Sequence, residues 1–83
     1  MTEGDLDLTD RVIGMIESIY SLPPGVVSAD SARGEIEQWD SLGHLVLILQ
    51  LEQEFGVQLS PEDIETMTSV RTIAEGLTIK LAA

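Results

Sequence analysis

Asp40-Ser41-Leu42 stands at the start of the one strongly apolar helix this chain encodes. A helix N-terminus presents unpaired amide N–H groups and the positive end of the macrodipole. It can therefore hold a phosphate or phosphodiester, and Ser41 offers a hydroxyl there for modification. Asp40, Ser41 and His44 also supply the residue types of a hydrolytic triad. Their spacing opposes that chemistry. Ser41 and His44 lie one turn apart, but Asp40 is placed to cap the helix and is not free to orient an imidazole from below. The chain has no Gly-x-Ser-x-Gly elbow and little room for a substrate pocket. The expectation is a protein without catalysis of its own. The acids do not spell a calcium loop of the EF-hand type. Asp5-Leu6-Asp7 and Glu62-Asp63-Glu65 read instead as solvated charge at helix ends.

Length and charge narrow the classes further. Eighty-three residues suggest one domain, residues 1–83, with a small core. Fifteen acidic and four basic residues give a net charge of −11. That sign repels nucleic acid and favours basic partner surfaces reached with electrostatic steering. It equally suits a small protein that charge keeps soluble and monomeric. A hydrophobic content of 43% argues against disorder. The chain has no cysteine, hence no disulfide framework and no thiolate site. The run from Leu45 to Leu51 is broken by Gln50 and is too short to span a bilayer. Residues 1–10 lack the apolar segment of a signal peptide. A cytoplasmic protein is expected, free-standing from Met1, although an excised domain would read the same way.

The elements that must position Ser41 form an all-α pattern of four helices with no convincing strand. The first is expected over about 8–20, with Leu8, Val12, Met15, Ile16, Ile19 and Tyr20 on one stripe. Pro23-Pro24-Gly25 ends it. A long connection over 23–39 follows, pinned to the core by Val26, Val27, Ile36 and Trp39. A loop of that length usually has a functional reason. The second helix runs over 41–55, with Asp40 as N-cap and Gly56 as the C-terminal stop. Ser60-Pro61-Glu62-Asp63 starts a short third helix over 61–67 that holds Ile64 and Met67. After Thr68-Ser69 the fourth, over 70–81, repeats Val70, Ile73, Ala74, Leu77 and Leu81. Short helix included, this is a small four-helix bundle.

The second helix carries more apolar surface than one buried face requires. At about 100° per residue from Ser41, Leu47, Ile48, Leu51 and Phe55 fall at roughly 240–340° and form the core stripe. His44, the only histidine, falls in line with that stripe and is expected to touch the loop or Trp39. Leu42, Leu45, Val46 and Leu49 fall at roughly 40–140°, beside Ser41. Either the long loop covers this second stripe or it is an exposed partner surface. The serine on the same side favours the partner surface.

Trp39 to Gly56 and Ser60 to Val70 together resemble the acyl carrier protein family, and the resemblance runs from the first helix to the fourth. It implies that Ser41 carries a 4′-phosphopantetheine arm donated by coenzyme A, attached by a separate phosphopantetheinyl transferase that supplies the base and Mg²⁺. The arm's thiol would carry acyl groups as thioesters among acyl-loading and acyl-processing enzymes in fatty-acid, polyketide or related biosynthesis. It also implies that Asp40, Leu42, Leu45, Val46, Leu49 and Glu52 meet those enzymes. Trp39 is expected to anchor the loop, with contact to the arm as the other option. Members of the family often have more acids along this helix. Here Val46 and Gln53 share the Ser41 side and Glu52 is its main acid, so recognition is expected to lean on apolar contact. A peptidyl or aminoacyl carrier of nonribosomal type, or an unmodified helical interaction module, would also fit these residues.

Overall fold

The structure, a computed structural model, describes residues 3–82, with side chains from Leu8 onward. The acids at Asp5 and Asp7 lie outside the described side chains. Four helices occur among the described residues: α1 (Glu3–Ile19), α2 (Ser41–Phe55), α3 (Pro61–Thr66) and α4 (Val70–Ala82). The helix α1 begins well before the expected start at Leu8. Apolar periodicity marks only the packed part of a helix, whereas acids near an N-terminus extend it through the macrodipole. The short α3 stops one residue early, at Thr66, because Met67 leaves helical geometry (φ −84°, ψ 67°) and turns into the core.

The core forms where the apolar stripes of the helices meet. Val12 and Ile16 of α1, Leu47 and Leu51 of α2, and Val70, Ile73 and Leu77 of α4 are fully buried, with Met67 beneath them. Two expected core residues are surface residues instead. Val26 is exposed because the turn closed by its amide and the Pro23 carbonyl sends Val27 inward in its place. Leu81 is exposed in the last turn of α4.

Each helix end has a local cause. Asp40 caps α2, its carboxylate accepting from the Gly43 amide at 2.8 Å. Gly56 ends that helix at φ 65°, a left-handed conformation that glycine adopts without strain. Ser60 and Asp63 exchange side-chain-to-backbone hydrogen bonds across the start of α3, at 3.1 and 2.9 Å. Such a capping box satisfies two donors otherwise left unpaired. Ser69 and Thr72 make the same exchange at the head of α4.

The connection between α1 and α2 is tied down along its length. The Glu17 carboxylate accepts from the amides of Gly25 and Val27. A 3-10 turn spans Arg33–Glu35. On either side of it, the Arg33 amide donates to the Thr68 carbonyl at 2.8 Å and the Val70 amide donates to Ser31 at 3.0 Å. These bonds form one antiparallel bridge, Ala32 to Ser69, and among the described residues no strand develops from it. The loop is thereby fastened to the α3–α4 junction before it reaches Trp39, which is 1% exposed and seals the core below α2.

Candidate functional site

Ser41 is the first residue of α2 and is exposed. Three contacts fix the helix start beneath it. The Asp40 carboxylate holds the Gly43 amide. The Tyr20 hydroxyl donates to the Gly43 carbonyl at 2.7 Å, joining the end of α1 to the first turn of α2. Gly43 itself allows the loop to cross close by, since a Cβ there would lie 2.2 Å from the Gln38 carbonyl oxygen. Burial first, and the Asp40 charge second, push the Tyr20 phenol up to about 12, with Arg33 acting in the opposite sense. The phenol therefore stays protonated and donating across the neutral range.

His44, one turn along, is buried and faces away from the serine hydroxyl. The Trp39 indole Nε1–H donates to its Nδ1 at 2.9 Å. An indole nitrogen only donates, so Nδ1 is the acceptor and the neutral ring carries its proton on Nε2. That Nε2–H then donates to the Ile64 carbonyl at 2.8 Å. Both ring nitrogens are occupied in joining the loop, α2 and α3, which rules out a triad with Ser41. Trp39 is a loop anchor, and its burial removes it as a surface for an arm or an acyl chain.

The second stripe of α2 is open. Leu42, Leu45, Val46 and Leu49 are 71, 52, 40 and 59% exposed, so the long loop does not cover them. They continue the surface on which Ser41 sits. A shallow depression of about 350 Å³ lies beside them, where Ile19 and Tyr20 meet Leu42 and Val46. Asp40 is exposed at the same edge, although its carboxylate is engaged as the cap. Glu52, expected as the main acid of this face, is also engaged. Its carboxylate accepts from the Leu59 amide at 2.9 Å and so ties down the turn after α2. Asp63 is likewise more than solvated helix-end charge: it is half-buried in the capping box and 3.0 Å from the Lys80 ammonium. The bonds from Ser60 and Lys80 hold its carboxyl down at about 2.

One neighbour of Ser41 was not expected from the sequence. The Arg33 guanidinium donates from Nη2 to the Ser41 Oγ at 3.2 Å. The available signal was charge alone, since Arg33 is the only basic residue between Arg11 and Arg71. An exposed hydroxyl, helix N-terminal amides and a guanidinium are groups suited to a phosphodiester.

The chain matches the phosphopantetheine attachment site family over residues 10–77. It is 29% identical over 77 residues to an acyl carrier protein of Thermosynechococcus vestitus, a match covering 93% of this chain and 95% of that one. In fold it is similar to a holo acyl carrier protein from Geobacter metallireducens solved by solution NMR. That match has a TM-score of 0.80 at 23% identity and covers 90% of this chain and 86% of the other. The family match accompanies a four-helix bundle with an exposed serine at the head of α2, and the chain belongs to the phosphopantetheine attachment site family. It is an acyl-carrier-like protein whose cofactor is 4′-phosphopantetheine, and it carries rather than catalyses.

Proposed function

We propose that Ser41 is the attachment residue, within a single carrier domain over residues 1–83, and that the loaded protein presents acyl intermediates to partner enzymes. The observation that carries this reading is the exposed Ser41 hydroxyl at the first position of α2, next to four exposed apolar side chains. A separate phosphopantetheinyl transferase brings coenzyme A and Mg²⁺. The Ser41 oxygen forms a bond to the phosphorus of the pyrophosphate, the transferase takes its proton, and adenosine 3′,5′-bisphosphate leaves. When bound, the arm supplies a thiol that holds the cargo as a thioester. This chain's own part is mechanical. Asp40, Tyr20 and Gly43 keep the helix start rigid so that the hydroxyl stays displayed, and Leu42, Leu45, Val46 and Leu49 dock the enzymes.

The cargo reading favoured here is an acyl group of fatty-acid, polyketide or related biosynthesis, with the chain working as a cytoplasmic monomer. A net charge of −11 supports the monomer through mutual repulsion of copies. Incubation with coenzyme A, Mg²⁺ and a broad-specificity transferase should add one arm to the intact mass, and Ser41→Ala should add none. A modified Ser41→Ala variant, or a wild type that never gains mass, overturns the assignment. The latter result would leave the exposed stripe as the surface of an unmodified interaction module.

A further inference from the structure

Three of the four cations in this acidic chain are paired with carboxylates. Arg11 meets Glu54 at 2.8 Å, Lys80 meets Asp63 at 3.0 Å, and Arg71 bonds Asp30. Arg33 has no carboxylate partner among the described residues and donates to a neutral hydroxyl, that of Ser41. A guanidinium gains most from an anionic acceptor and matches the oxygens of phosphate in a planar fork. With fifteen acids in the chain, a lone cation resting on one serine is an unspent charge.

Its backbone is held in advance. The Arg33 amide is fixed by the Thr68 carbonyl, and its carbonyl accepts from Ile36 to close the 3-10 turn. The Glu35 carboxylate reaches back to the Ala32 amide at 3.3 Å. The side chain thus starts from a turn fastened to the α3–α4 junction, and little backbone entropy remains to be lost when it binds.

Modification would change what Arg33 faces. The oxygen 3.2 Å from Nη2 becomes the ester oxygen of a phosphodiester, a new negative charge in the turn that Asp40 already caps. We propose that Arg33 is a positioning residue for the modified state: it receives the phosphodiester on Ser41, offsets its repulsion by Asp40, and restrains the root of the arm. This rests on the assignment of Ser41 as the attachment residue. The role lies in a residue of the long loop, outside α2 and outside the apolar partner face.

The test compares apo and arm-bearing protein for wild type, Arg33→Gln and Arg33→Lys, each loaded with coenzyme A, Mg²⁺ and transferase and confirmed by intact mass. Modification should raise the wild-type melting temperature by about 2–5 °C relative to its effect in Arg33→Gln. Arg33→Lys should recover part of that difference, since it keeps the charge but loses the fork. High salt should shrink it. The phosphorus NMR resonance of the diester should move between wild type and Arg33→Gln. Each variant is its own reference, so a change in apo stability does not blur the comparison. Full mass gain with the same melting shift and the same phosphorus resonance in wild type and Arg33→Gln overturns the role of Arg33 and leaves Ser41 standing. A wild type without the mass increment overturns both.

Discussion

The indole of Trp39 donates to Nδ1 of His44 at 2.9 Å, the two rings meeting edge to edge with their planes 27° from parallel. This pair connects the end of the long loop to α2, and the other nitrogen of His44 continues the connection to Ile64 in α3. Trp39→Phe keeps most of the ring but leaves a buried acceptor without its donor. It should cost about 1–3 kcal/mol. A urea melt checks this, and a wild-type midpoint for Trp39→Phe would show that the bond adds no stability.

Core and surface on α2 should separate by their cost. Leu51 is fully buried, and Leu51→Ala should destabilise by about 2–5 kcal/mol through the cavity left behind. Ser41 is exposed, and Ser41→Ala should stay within about 1 kcal/mol, covering the loss of one exposed bond from Arg33. Equal denaturation midpoints for the two variants would contradict the burial pattern.

Alkaline pH should act through Tyr20, the one tyrosine, whose phenol is pushed up to about 12 mainly by burial. Its folded value lies above its unfolded value of 10.0, so the stability it contributes is fully present below pH 10.0 and lost as pH rises through about 12. Tyrosinate absorbance should follow the same delay in the folded protein. Tyr20→Phe should cost about 0.5–1.5 kcal/mol at neutral pH by removing the bond to Gly43. It should also flatten the alkaline loss. A phenol that titrates near 10 in the folded protein would show that Tyr20 is not buried against α2 in solution.

The exposed stripe should affect partners more than folding. Leu49→Ala should raise KM for the transferase or an acyl ligase while the melting midpoint stays nearly unchanged, because Leu49 is 59% exposed. Salt should slow association only moderately, as Glu52 is engaged with Leu59 and few acids remain on that face. Loss of turnover in salt with no effect of Leu49→Ala would make recognition electrostatic instead.

What the amino-acid sequence determined by itself is what local geometry controls. The cap at Asp40, the box from Ser60 to Asp63 and the stop at Gly56 each act within about one helical turn, so their residue types reveal them. The two stripes of α2 follow from its fixed rotation per residue. Periodicity does not say which stripe a neighbour covers. Only the packing of α1, α3, α4 and the loop left Leu42, Leu45, Val46 and Leu49 open and sealed Leu47 and Leu51. The same is true of the contacts around the site. Arg33 reaches Ser41, Tyr20 reaches Gly43 and His44 reaches Ile64 across segments with no repeating pattern. Tertiary structure decided them, because a side chain's partner depends on the path of the backbone between them, and that path was set by the bridge from Ala32 to Ser69 and the burial of Trp39.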